Sequence, residues 1–129
     1  MDEKTLKEKT GATARAYFDG YPWDRPYDLW KSFDPGLAKD LSLFITGQMY
    51  AREKLAHPTR QLVAVAALTA LERLEELRLH IWAGLNVGLK ADDVAEAIFQ
   101  VGVYAGMPVV NQALKVLREV LEAREKQGE

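Results

Sequence analysis

Three side chains that could take part in chemistry lie at helical spacing in the second half of the chain: Arg73, Glu76 and His80. Residues three and four apart in a helix share a face, so these groups can lie close together. A titratable imidazole beside charged and aliphatic neighbours is suited to proton transfer near neutral pH. The stretch from 59 to 88 that holds them is therefore the best candidate for a functional site.

Each of these residues also has a purely structural interpretation. His80 lies between two aliphatic residues, and a single histidine there can be a core residue with its hydrogen bonds satisfied. Glu76 and Arg73 can form a helix-surface ion pair, worth only about 0.2–0.5 kcal/mol on an isolated helix. Arg60 can be a first-turn helix residue that pairs with Glu53. For each residue, the spacing alone leaves both the functional and the structural interpretation open.

Composition excludes several function classes. The chain has 129 residues and no cysteine, so disulfides, thiolate nucleophiles and cysteine-based metal or redox sites are ruled out. It has two histidines and no metal-binding signature, which argues against a histidine-rich metal site. A formal net charge of −2 and the absence of a basic stripe argue against nucleic-acid binding. The chain has no apolar signal segment or membrane-length run, so we expect a soluble, cytoplasmic protein.

Apolar residues recur at three- and four-residue intervals along most of the chain, and no strand-like alternation persists, so the fold class is predicted to be all-α. We expect Asp34 and Pro35 to begin a helix that reaches about 48 and buries Leu37, Leu41, Phe44 and Ile45. Thr59 is the expected cap of the next helix. The predicted bundle has about six helices, near 4–18, 34–48, 59–71, 73–86, 90–106 and 108–124, with a short helical turn possible at 27–33.

The helices at 59–71 and 108–124 carry apolar residues on more of their circumference than a surface helix needs. Such helices pack inside a core or between subunits. The sequence therefore predicts a homo-oligomer. The aromatic and proline-rich segment before residue 34 is also expected to pack on the protein body or on a neighbouring subunit.

Three segments occur in order and carry a family resemblance: TRQLVAVAAL, EELRLHIWAGLNVGL and DDVAEAIFQVGVYAGMPVVNQAL. Together they resemble the carboxymuconolactone decarboxylase family over about 34–121. The resemblance implies the compact helical fold shared with alkylhydroperoxidase D, assembled as trimers or hexamers. One domain, 1–129, is expected, with an N-terminal helix and the aromatic, proline-rich segment preceding the family core.

The family includes two chemistries, which the residues of this chain separate. Relatives similar to alkylhydroperoxidase D use two cysteines, and aligned on His80 those positions hold Arg73 and Glu76, while the upstream glutamate position holds Gln61. A thiol peroxidase activity is therefore rejected. The other branch resembles the cofactor-independent decarboxylase of 4-carboxymuconolactone in aromatic catabolism, whose Glu-x-x-x-His pattern is present as Glu76 and His80.

Each candidate residue has a role that suits this chemistry, and Arg60 also matches the arginine of the decarboxylase branch's Thr-Arg motif. His80 would act as general acid or base, and Glu76 would fix its tautomer and favour its protonated form. Arg60 or Arg73 would hold the substrate carboxylate, and Tyr104 would line the pocket or donate a hydrogen bond. No cofactor or metal is expected.

Two alternatives compete with a carboxymuconolactone decarboxylase-like enzyme. One is a non-catalytic oligomeric binding or scaffold protein with the same fold. The other is a different proton transfer by His80 and Glu76, such as isomerisation or lactone opening.

Overall fold

A computed structural model describes residues 1–128, and within that range it contains seven α-helices, one π-helical segment and no strand. The all-α prediction is confirmed. The helices are α1 (Glu3–Phe18), α2 (Pro26–Phe33), α3 (Pro35–Ser42), α4 (His57–Ala70), α5 (Leu74–Asn86), α6 (Ala91–Ala105) and α7 (Met107–Gly128), with the π segment at Leu43–Tyr50. None of these helices combines the length and the apolar character needed to cross a membrane.

The chain divides into two compact units, one at Met1–Ala56 and one that begins at His57. The predicted single-domain organisation stays a prediction. In the first unit, α1 begins at Asp2, whose carboxylate accepts a hydrogen bond from the Thr5 backbone N–H at 2.7 Å. Helix α1 packs against the π segment at Gly47, where a Cβ atom would overlap the side chain of Thr10.

The predicted helix at 34–48 is correct at its start and wrong in its second half. Asp34 caps it as expected, accepting a hydrogen bond from the Leu37 N–H at 3.0 Å. From Leu43 the backbone changes to the π-helical pattern, and Ala51 N–H bonds to the Thr46 carbonyl. The residues that this region buries are the small Ala38 and Gly47.

Two of the expected core residues in that helix are exposed. Leu37 and Phe44 each keep 53% of their accessible surface. The prediction that they are buried is wrong. For Phe44, apolar spacing counted at 3.6 residues per turn does not hold because the backbone winds as a π-helix from Leu43. Leu37 lies in the regular α-helix α3, so its exposure has no such explanation.

The second unit is a bundle of four helices. Helix α4 packs against α5 and α6, and α7 closes the arrangement by packing against both α5 and α6. The largest fully buried apolar side chains of this unit come from all four helices: Val65, Leu77, Ile81, Trp82, Val94, Ile98, Val110 and Val120. This core fixes the relative positions of α4 and α5, which carry most of the candidate residues.

Local signals at the ends of these helices are mostly confirmed. The expected break near 71–74 is present, with Glu72 in the left-handed region at φ 57°. Thr59 is not the cap of α4, because the helix already begins at His57. Pro58 suits the first turn, where no intrahelical N–H is needed. The predicted turn at 106–108 separates α6 from α7, with Gly106 at φ 92°.

Helix α5 ends as predicted at Gly88, which has φ 113°. The Leu89 N–H bonds to the Gly84 carbonyl at 2.9 Å and the Gly88 N–H bonds to the Leu85 carbonyl at 3.3 Å, which is the Schellman pattern. A Cβ on Gly84 would lie 2.8 Å from the Leu89 side chain and 3.5 Å from Cβ of Gln61. Helices α4 and α5 therefore approach closely at Gly84, one turn after His80.

Candidate active site

The centre of the candidate site is a contact between His80 of α5 and Gln61 of α4. The Nδ1 atom of His80 lies 2.9 Å from Oε1 of Gln61. Gln61 is fully buried and shares one face of α4 with Val65 and Thr69. Because Gly84 has no side chain, α4 and α5 come close enough for a glutamine to reach the imidazole.

This contact defines which nitrogen of His80 carries the hydrogen, and burial defines whether the ring is charged. A carbonyl oxygen can only accept, so Nδ1 carries the hydrogen and donates it to Gln61. Burial of the imidazole lowers the pKa of His80 from its ordinary 6.5 to about 4, and no carboxylate contributes to this shift. His80 is therefore neutral at pH 7, with the Nε2 lone pair as the position that takes up a proton. Glu76 does not contribute to the pKa of His80 in this structure, and its expected role in favouring the protonated imidazole stays a prediction.

The amide nitrogen of Gln61 has no hydrogen-bond acceptor among residues 1–128, although it is buried. A buried donor without a partner costs about 1–3 kcal/mol, so Gln61 is not placed here for stability alone. Functional sites often contain buried polar groups whose hydrogen bonds are not all satisfied, as with the amide nitrogen of Gln61.

Glu76 lies in the first turn of α5 and is exposed. Its carboxylate makes no hydrogen bond or ion pair with another of the described residues. An acidic residue at this position is favourable beside the positive end of the helix dipole. Glu76 and His80 are separated by about 6 Å of rise along α5, at ~1.5 Å per residue. Gln61, and not Glu76, is therefore hydrogen-bonded to the imidazole, and a catalytic role for Glu76 stays a prediction.

The two arginines occupy different environments. Arg73 is the exposed residue immediately before α5, and its side chain bonds to nothing else in the part of the chain that the structure describes. Arg60 is half-buried on α4, next in sequence to Gln61. Arg60 directly precedes Gln61 in the sequence, while Arg73 lies at the α4–α5 turn. Their roles as substrate clamps stay predictions.

Tyr104 lies in the last turn of α6 and is 82% exposed. In a single chain its phenol faces solvent. The predicted pocket-lining role of Tyr104 stays a prediction.

Within residues 1–128 no three histidine, aspartate or glutamate side chains are grouped so that they could hold an ion.

Comparison with known proteins places these observations in a family. Residues 35–119 match the carboxymuconolactone decarboxylase family. The chain belongs to that family. A 4-carboxymuconolactone decarboxylase of Acinetobacter baylyi is 34% identical over 99 residues, which cover 77% of this chain and 74% of that protein. An uncharacterized 15.0 kDa protein in the nqo9-nqo10 intergenic region of Paracoccus denitrificans is 31% identical over 88 residues, 67% of this chain and 66% of its own length.

In this member of the carboxymuconolactone decarboxylase family, the sequence does not identify Gln61 as a hydrogen-bond partner of His80. The resemblance points to Gln61 only as the residue at the glutamate position of the redox branch. A sequence signal does exist: Gln61 is an uncharged amide at the start of a strongly apolar helix, four residues before Val65. Buried amides need a hydrogen-bond partner, which is a reason to search the neighbouring helix for one.

Proposed function

We propose that this protein is a cofactor-independent decarboxylase that acts on a small carboxylated lactone of the 4-carboxymuconolactone type. The His80–Gln61 contact carries the proposal, because it holds a half-buried imidazole in one orientation between α4 and α5, within the residues that match the family. The similarity to a 4-carboxymuconolactone decarboxylase supports this substrate class. Acid–base catalysis needs such a titratable group in a fixed position.

The reaction requires one proton from the protein. As the bond to the carboxylate carbon breaks, carbon dioxide leaves and its bonding electrons pass through the conjugated enone to the lactone carbonyl oxygen. The resulting dienolate then takes a proton on carbon. In the proposed scheme the Nε2–H of a protonated His80 supplies that proton, and the imidazole returns to its neutral form.

The low pKa of His80 fits this scheme once the substrate's charge is included. A carboxylate about 4 Å from the imidazolium contributes roughly 4 kcal/mol at an effective dielectric constant of about 20. That energy corresponds to about three pKa units. Substrate binding would therefore raise the pKa of His80 from about 4 toward about 7, and the enzyme would take up the catalytic proton as the anion binds.

An arginine would hold the substrate carboxylate in this scheme. Arg60 is half-buried on α4, the helix that carries Gln61, whereas Arg73 is exposed, so Arg60 is the candidate that we assign to this role. A guanidinium stays charged at all relevant pH values and can bind a carboxylate with two parallel hydrogen bonds.

The neutral imidazole favours one competing function. At pH 7 a His80 with a pKa of about 4 is a proton acceptor, which suits isomerisation or opening of a lactone. Product analysis separates the two reactions, because only decarboxylation releases carbon dioxide.

Turnover of 4-carboxymuconolactone by His80→Asn and His57→Asn variants tests the proposal. The wild type should release carbon dioxide, and His80→Asn should lose about 10²–10⁴-fold in kcat, the usual contribution of a general acid. His57 is the only other histidine in the chain, so His57→Asn is a matched control and should keep wild-type activity. A wild type without turnover, or a fully active His80→Asn variant that is folded by circular dichroism, would contradict the proposal.

A further inference from the structure

The geometry points to Gln61 as the positioning residue of the site: it holds the hydrogen of His80 on Nδ1, so that Nε2 is the atom that exchanges protons with the substrate. The Nδ1–Oε1 distance of 2.9 Å is that of a well-formed hydrogen bond. For turnover, this inference rests on the proposed function. The tautomer itself does not depend on any substrate.

The surroundings of Gln61 leave its side chain little freedom. The residue has no exposed surface, and its Cβ lies against Gly84 of α5. Its carbonyl is directed at His80, while its amide nitrogen has no acceptor in the described chain. An amide selected only for stability would satisfy both ends. Gln61 satisfies only the end that orients the imidazole.

The charge of this partner matters as much as its position. A carboxylate at the same distance would stabilise the imidazolium and keep His80 protonated without substrate. A neutral carbonyl orients the ring without favouring the imidazolium. His80 then gains its second proton only when the substrate anion binds. Gln61 therefore couples proton uptake to substrate binding, whereas a glutamate would uncouple the two events.

Histidine-selective nitrogen NMR of the ligand-free protein tests the tautomer directly. The chain has two histidines, so in the His57→Asn background the ring signals belong to His80 alone. At pH 7 we expect neutral imidazole with the hydrogen on Nδ1. In Gln61→Met, which keeps the side-chain length but lacks the acceptor, the hydrogen should move largely to Nε2. An Nε2–H tautomer in the unsubstituted site, or no change in Gln61→Met, would overturn the inference.

Kinetics separate positioning from a merely structural role. If Gln61 only filled space, Gln61→Met would be the mild replacement and Gln61→Glu the severe one, since a buried carboxylate is costly. The positioning role predicts the reverse order. Gln61→Met should lower kcat by at least about tenfold with a smaller change in KM, as is typical when a supporting hydrogen bond to a functional histidine is removed.

Gln61→Glu should keep an acceptor for Nδ1 and remain active, with the pKa of His80 raised from about 4 toward its ordinary 6.5. The control is Thr69→Val, which alters another buried polar residue on the same face of α4 and should change neither the tautomer nor kcat. Gln61→Met more active than Gln61→Glu would contradict the inference. The NMR arm needs no substrate, so a wild type that fails to turn over lactone but shows the predicted tautomers would reject the proposed function alone.

Discussion

At the scale of single residues, the imidazole of His80 links the site to folding stability. Its pKa is lowered to about 4 in the folded chain, whereas an unfolded chain leaves it near 6.5. Between these values the unfolded state binds more protons than the folded state, so the free energy of unfolding falls as the pH falls from 6.5 to 4. Above pH 6.5 both states are neutral at this position and the full stability is present.

The size of this effect follows from the pKa difference. One pKa unit corresponds to about 1.4 kcal/mol, so lowering the pH from 7 to 4 should remove about 3 kcal/mol of stability through His80. Urea unfolding of the wild type and of His80→Asn at both pH values measures it. The carboxylates titrate in both proteins, so the difference between them isolates the histidine. Equal losses in the two proteins would show that burial does not lower the pKa of His80.

The sequence identifies His80 but not its partner, and distance along the chain explains why. Helical spacing correctly relates residues within α5, such as Glu76 and His80, but it contains no information on what lies across from them. Gln61 is 19 residues away on another helix. Only the packing of α4 on α5, which Gly84 permits, brings the amide to the imidazole.

At the scale of elements, the α4–α5 turn contains a strained residue. Glu72 is the one non-glycine residue with positive φ among residues 1–128, at 57°. A left-handed conformation costs an L-residue about 1–2 kcal/mol relative to glycine or a relaxed backbone. The turn must reverse the chain within the few residues between Ala70 and Leu74, which places Glu72 in this conformation.

Replacing Glu72 by glycine should therefore stabilise the protein by about 0.5–1 kcal/mol, since the released strain exceeds the entropy that glycine adds to the unfolded chain. The matched control is Glu122→Gly, at an exposed position inside α7, which should destabilise by about 1 kcal/mol. Thermal unfolding of both variants measures the two effects. Destabilisation of the same size in both would show that Glu72 is not strained.

Helix boundaries follow from the sequence where a local device defines them. The Asp34 cap, the Gly88 terminator and the Gly106 turn are each a residue whose chemistry acts within one helical turn, and each was predicted correctly. The sequence does not predict the π segment at Leu43–Tyr50. Its winding accompanies the packing of Gly47 against Thr10 of α1, and a contact between distant residues leaves no periodic signal in the sequence.

At the scale of the whole molecule, α4 has a second apolar face that its own bundle does not cover. Along this helix and the turn after it, exposed apolar residues recur at helical spacing: Val63, Ala67, Ala70 and Leu71. Monomeric surface helices carry polar residues on the face opposite the core. We therefore propose that a second copy of this chain packs here, in line with the oligomer that the family resemblance implies.

Sedimentation of the purified protein tests this assembly. The wild type should sediment as a multiple of the 14.5 kDa chain, and Val63→Lys should shift it toward the monomer because the charge would be buried in the interface. Lys115→Glu, at an exposed position on α7, is the control and should not change the assembly. A wild type that stays at 14.5 kDa at micromolar concentration would contradict the assembly.

The central claim is that His80 acquires its proton with the substrate and delivers it as carbon dioxide leaves. The pH dependence of kcat/KM for 4-carboxymuconolactone tests it most directly, because kcat/KM reports the protonation of the free enzyme and kcat that of the complex. With a free-enzyme pKa of about 4, kcat/KM should fall about tenfold per pH unit from about pH 5 to 8, while kcat stays level to about pH 7. A kcat/KM that is level or rising across that range would contradict the claim.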